Sequence, residues 1–120
     1  MLTDEMRYRI LKLLEEDPGL SQRELARRLG VSLGKAHYCL RALIDKGLVK
    51  AGNFRRNPDK RVYAYLLTPR GIEEKARAAR RFLQRKLAEY EALEREIEAL
   101  RREVRRPSEA GEGPAAEPTE

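Results

Sequence analysis

The segment from Leu20 to Val49 constrains the fold of this chain more than any other. It holds two short amphipathic patterns separated by one glycine. Ser21 and Glu24 stand at the spacing of a capping box, in which each side chain satisfies a free amide at the helix start. Leu25, Ala26 and Leu29 follow as one apolar stripe. Gly30 offers the left-handed backbone position that a sharp interhelix turn needs, and Val31 can plug the angle between the helices. Ser32 caps the second pattern, whose inward face is Ala36, Leu40, Leu43 and Ile44, and Lys46-Gly47-Leu48 ends it with glycine at C′. Two helices joined this tightly form a helix-turn-helix, and the second helix of such a unit is shaped to enter a DNA major groove.

The flanks complete a three-helix core with a β-hairpin wing. Thr3 is an N-cap with Asp4 and Glu5 in the first turn. Met6, Ile10, Leu13 and Leu14 then recur at helical spacing with Leu11 beside them, until Asp17-Pro18-Gly19 stops the helix. Downstream, Leu48–Phe54 and Arg61–Leu67 read as strands, the second alternating Val62, Ala64, Leu66 against Tyr63, Tyr65, Leu67. The tip between them, Arg55 to Lys60, is basic and rich in turn formers. The expected fold is mostly α with a small β-hairpin: a winged helix-turn-helix over residues 1–68, then a long C-terminal coiled-coil helix.

That helix starts at Thr68-Pro69, with Thr as N-cap and Pro in the first helical position. No breaker follows Gly71 until Pro107. Apolar residues fit a heptad, with Ala76, Leu83, Tyr90, Ile97 and Val104 at a and Ile72, Ala79, Leu93 and Leu100 at d; Lys86 interrupts the d series, with Leu87 beside it. A helix over 69–106 is about 57 Å long, more than a domain this small can cover. A second copy is the simplest partner, so Leu83, Leu87, Tyr90, Leu93, Ile97, Leu100 and Val104 are the expected dimerisation residues. The g positions Glu89, Glu96 and Glu103 would face one another in an antiparallel pair. A parallel pair sets Glu96 against Arg101 but also Glu89 against Glu94. Residues 107–120 hold four Glu and no large apolar side chain, and are expected to be a disordered acidic tail.

Charge narrows the class of partner. Net charge is +7 over residues 1–71, +3 over 72–106 and −4 beyond, giving the +6 of the whole chain. A basic folded part points to nucleic acid or an anionic surface. No apolar run approaches the ~20 residues that span a bilayer, and the start lacks the basic region of a signal peptide. The lone Cys39 rules out an intrachain disulfide and suits a reducing compartment, so a cytoplasmic location is expected. With one His, no Gly-rich phosphate loop and no carboxylate pair in a plausible pocket, the chain is not read as an enzyme, and no cofactor is expected. His37 and Cys39, two positions apart on a helix, cannot face one metal.

The side of the second pattern not used for the core displays Ser32, Leu33, Gly34, Lys35, His37, Tyr38 and Arg41, the candidate recognition face. Lys35 and Arg41 can reach phosphates or guanine edges, His37 can hydrogen-bond base or phosphate, and Tyr38 offers apolar and hydroxyl contacts. The missing side chain of Gly34 would let the backbone approach DNA closely. Gln22 and Arg23 could clamp a phosphate at a helix N-terminus, whereas Arg27 and Arg28 are expected to be solvated. At the wing, Arg55, Arg56, Lys60 and Arg61 would neutralise flanking phosphates or enter the minor groove. Any one of these could equally be a solvent-facing residue of a basic domain, and a charged hairpin tip also blocks edge-to-edge pairing. Cys39, beside the inward stripe, reads as a small buried apolar residue rather than a redox sensor.

From Leu20 to Phe54, and above all from Ser32 to Lys50, the chain resembles the EPS-associated MarR-family winged-helix transcriptional regulators of bacteria. So do Tyr65–Lys75 and Arg81–Leu93, and the likeness covers about residues 1–105. The resemblance implies a bacterial DNA-binding regulator connected with exopolysaccharide gene clusters; a homodimer paired through the C-terminal helix would, by its symmetry, bind an inverted-repeat operator in double-stranded DNA. The extra helices that build an inducer pocket in larger MarR-like regulators have no counterpart in this pattern, so no effector pocket is carried over. The other readings of the same residues are a winged-helix module that binds protein and a nonspecific nucleic-acid binder.

Overall fold

The computed structural model describes residues 2–57 and 60–106, with side chains for 2–52 and 63–106. Its elements run α1 (Asp4–Glu16), α2 (Gln22–Leu29), α3 (Leu33–Asp45), β1 (Val49–Asn57), β2 (Lys60–Leu67) and α4 (Pro69–Val104). Among the described residues, those up to Leu83 group into one compact unit and those from Gln84 into a second. The expected acidic tail, 107–120, lies outside the described residues.

Local chemistry sets the helix boundaries. The hydroxyls of Thr3, Ser21 and Ser32 accept from the backbone amides of Met6, Glu24 and Lys35 at 3.1, 3.1 and 3.0 Å, each satisfying one orphan donor. Only half of the expected capping box forms, because the Glu24 carboxylate is engaged by Arg27 and Arg28 one turn on. Those two arginines are exposed but ion-paired, not simply solvated. Gly30 takes the left-handed conformation at φ 71°, and the Val31 amide donates back to the Ala26 carbonyl at 3.0 Å. Gly47, at φ 75°, closes α3 in the same way, with the Leu48 amide on the Leu43 carbonyl at 3.0 Å.

The core is one cluster in which Ile10, Leu11 and Leu14 of α1 meet Leu25 and Leu29 of α2 and Cys39, Leu40 and Leu43 of α3. Cys39 is fully buried. Leu48, Val49 and Tyr65 bring the base of the hairpin into the same cluster.

β1 and β2 pair antiparallel from Val49↔Leu67 to Asn57↔Lys60, with an irregularity between Arg55 and Asn57. Both strands run further toward the tip than the sequence indicates, so Arg55, Arg56 and Lys60 belong to strand ends rather than a loop, and Arg61 lies in β2 as expected. The expected alternation along β2 also fails at its base, where Ala64 and Tyr65 are both buried. The reason is a second neighbour: the Tyr65 amide donates to the Pro18 carbonyl at 2.9 Å, so the α1–α2 loop runs along the free edge of β2.

Gly71 is the close-approach point between α4 and the strand base. A Cβ there would overlap the Leu48 carbonyl oxygen, which itself accepts from the Thr68 amide at 3.1 Å. Ala78 is buried and Phe82 meets Tyr8 with ring centroids 6.1 Å apart. Arg81 bridges Asp4 at 3.0 Å and Glu74 at 2.9 Å, and Arg7 reaches the same two carboxylates. These contacts use a face of α4 roughly 100° round from the heptad stripe, leaving Ile72 and Leu83 exposed.

Candidate nucleic-acid interface

The caps and turns just described present one side of α3 outward. Ala36, Cys39, Leu40 and Leu43 are buried, while Leu33, Gly34, Lys35, His37, Tyr38 and Arg41 are exposed along the opposite side. Ser32 sits at the head of this face as its cap. Gly34 has an ordinary helical φ, and a Cβ there would meet nothing within 4 Å, so packing within the protein does not require glycine. Arg41 lies 3.6 Å from Asp45 in an exposed pair, weak enough to exchange for a phosphate or a base.

Arg23 is exposed at the start of α2. Gln22 is half-buried, and both ends of its amide are occupied. Nε2 donates to the Tyr65 hydroxyl at 3.1 Å, and Oε1 lies 3.1 Å from Nδ1 of His37. A cleft of about 140 Å³ between α3 and the hairpin base is lined by Gln22, His37, Leu40, Arg41, Ile44, Tyr63 and Tyr65. Tyr63 and Tyr65 stand edge to face with centroids 5.2 Å apart. Sequence reasoning passed over both tyrosines. The signal that could have found them is their i, i+2 spacing, which puts them on one face of β2, beside the recognition face.

Backbone pairing sets Arg55 opposite Arg61, with Lys60 opposite Asn57, so the four basic wing residues gather at one end of the hairpin; their side chains lie outside the described ones. On α2 a single carboxylate, Glu24, is shared by two of the three arginines. Hydrogen bonds from Arg27 and then Arg28 hold the Glu24 carboxyl down at about 2. Among the described residues no three His, Cys, Asp or Glu side chains are placed to hold a metal, and no helix is long and apolar enough to cross a membrane.

On α4, the seven side chains Leu83, Leu87, Tyr90, Leu93, Ile97, Leu100 and Val104 are all exposed, from 40% at Ile97 to 74% at Val104. They follow the heptad along one side of the helix. An unpartnered apolar stripe of this length is unusual on a monomer surface.

A family model described as winged helix-turn-helix DNA-binding matches residues 3–50. Over 63 residues the chain is 35% identical to an uncharacterized HTH-type transcriptional regulator of Pyrococcus furiosus. That match covers 52% of this chain and 43% of the relative, so the chain spans less than half of that protein's length. A crystal structure of a Mycobacterium tuberculosis MarR family protein in complex with salicylic acid superposes with a TM-score of 0.52 at 30% identity, covering 78% of this chain and 74% of that one. Lactococcus lactis ZitR, solved in complex with DNA, shares the fold at a TM-score of 0.52 and 23% identity, over 87% of this chain and 72% of that one.

Proposed function

The chain belongs to the MarR type of winged helix-turn-helix proteins, and from that premise we propose that it is a sequence-specific transcriptional regulator that binds double-stranded DNA as a homodimer. The observation that carries this reading is the exposed face of α3, where Lys35, His37, Tyr38 and Arg41 stand outward from a fully buried apolar side. A helix so divided is held by the core and free to enter a major groove. Lys35 and Arg41 supply charge for phosphates or guanine, and His37 and Tyr38 supply hydrogen-bonding groups for base edges. Arg23 and the wing residues Arg55, Arg56, Lys60 and Arg61 add phosphate contacts that position the protein without reading sequence.

The exposed stripe of α4 supports pairing of two chains through their C-terminal helices. Two-fold symmetry then calls for an inverted repeat with half-sites about one helical turn, or a multiple, apart. The likeness of residues 32–50, 65–75 and 81–93 to EPS-associated regulators extends the reading to exopolysaccharide genes, and the cytoplasm as the place of action. Selection of bound duplexes from a randomised pool by the full chain tests it. Enrichment of an inverted repeat is the expected result, and a pool that stays random would refute it.

A further inference from the structure

We propose that Gln22 and Tyr65 lock the His37 imidazole in its Nδ1–H tautomer, so that His37 turns an acceptor nitrogen outward and reads base amino groups in the major groove. This rests on α3 being the recognition helix, as argued above. Tyr65 is 5% exposed, its amide is tied to the Pro18 carbonyl, and its ring is braced by Tyr63. Gln22 Nε2 donates to the anchored hydroxyl, and Gln22 Oε1 lies 3.1 Å from His37 Nδ1. With the amide oxygen facing the ring, Nδ1 of His37 is the donor of this pair and carries the proton. The neutral ring then holds its lone pair on Nε2, on a residue that is exposed.

The consequence for recognition follows from the groove code. Adenine N6 and cytosine N4 present donors in the major groove, whereas guanine O6 and N7 and thymine O4 are acceptors. A neutral His37 locked in this way pairs with adenine or cytosine and opposes the acceptor edge of guanine. Gln22, which sequence alone places on a phosphate, becomes a positioning residue that sets what its neighbour reads.

His37 is the single histidine of the chain, so its tautomer can be read directly from imidazole ¹⁵N shifts of the full-length protein. In alkaline solution at about pH 8.5, where a free imidazole is neutral, the wild type should show the proton on Nδ1. Gln22→Ala and Tyr65→Phe should move it toward Nε2, the form a free imidazole prefers. Gln22→Glu, which keeps an acceptor facing the ring, should retain Nδ1–H. A wild-type proton on Nε2, or a tautomer untouched by Gln22→Ala, would overturn the proposal.

The second readout compares the sites selected by wild type and by His37→Ala. The position whose preference collapses should hold adenine or cytosine in the wild-type site. Replacing that base with its analogue lacking the amino group should weaken wild-type binding about fivefold and leave His37→Ala unaffected. Guanine or thymine at that position, or identical profiles for the two proteins, overturns the His37 assignment while the regulator reading stands. A wild type that enriches no sequence overturns both.

Discussion

Gly34→Ala separates what the fold asks of α3 from what DNA would ask of it. Gly34 lies in the first turn of the helix without a left-handed φ, and an added Cβ meets nothing within 4 Å. Nothing in the free protein opposes the methyl group, so alanine should act through the unfolded chain by removing backbone freedom. The gain is about 0.5–1 kcal/mol, which at ~4–8 °C per kcal/mol raises Tm by roughly 2–8 °C. If this turn lies against the DNA backbone, the same methyl intrudes on a close contact. A cost of about 1–2 kcal/mol there weakens binding roughly five- to thirtyfold. Gly71→Ala is the contrasting change. Its Cβ would overlap the Leu48 carbonyl oxygen and stand 3.0 Å from the Leu48 carbonyl carbon. Backbone must shift to make room, at a cost of about 1–3 kcal/mol or more, so this variant should melt lower. Thermal melts followed by circular dichroism, with fluorescence anisotropy on a selected duplex, read both quantities. A Gly34→Ala protein that melts higher yet binds as the wild type refutes the close approach; one that melts lower refutes the account of α3.

Arg41→Ala should relax base preference in the selected site, whereas Arg56→Ala should weaken binding to selected and random duplexes alike; parallel effects of the two on both duplexes would contradict that division. Leu93→Glu with Ile97→Glu places like charges in the apolar stripe of α4, and sedimentation velocity should show dimer converted to monomer. Unchanged sedimentation of the double variant would remove α4 as the dimer contact. Glu24 titrates below the ordinary carboxylate value, so its share of stability is complete above about pH 4.5 and is lost as pH falls toward its depressed value of about 2. Glu24→Gln should therefore flatten the fall of Tm across that window, and an unchanged slope would show that its pairs with Arg27 and Arg28 add nothing.

The helix-turn-helix was legible because its signals are local. Ser21, Gly30, Ser32 and Gly47 act on backbone within a few residues of themselves, and each occupies its expected cap or turn. The stripe on α4 was legible because a heptad repeats. What escaped depends on segments far apart in sequence. Gly71 reads as a helix breaker until the Leu48 carbonyl is seen against it. Tyr65 reads as one step in an alternating strand until the Pro18 carbonyl is found on its amide. The link from Tyr65 through Gln22 to His37 joins three elements, and no spacing along the chain encodes it. Glu24 shows a different failure: its spacing from Ser21 suits a capping box, but two arginines one turn on draw the carboxylate more strongly than a single amide.

The most direct test of the central claim is an anisotropy titration of the full chain at about 0.15 M salt, against its own selected duplex and a scrambled duplex of equal composition. A sequence-reading α3 predicts at least ~10³-fold tighter binding to the selected duplex, with the scrambled complex collapsing as salt rises. Equal affinities that fall together with salt would mean that the basic surface attracts phosphate and α3 reads nothing.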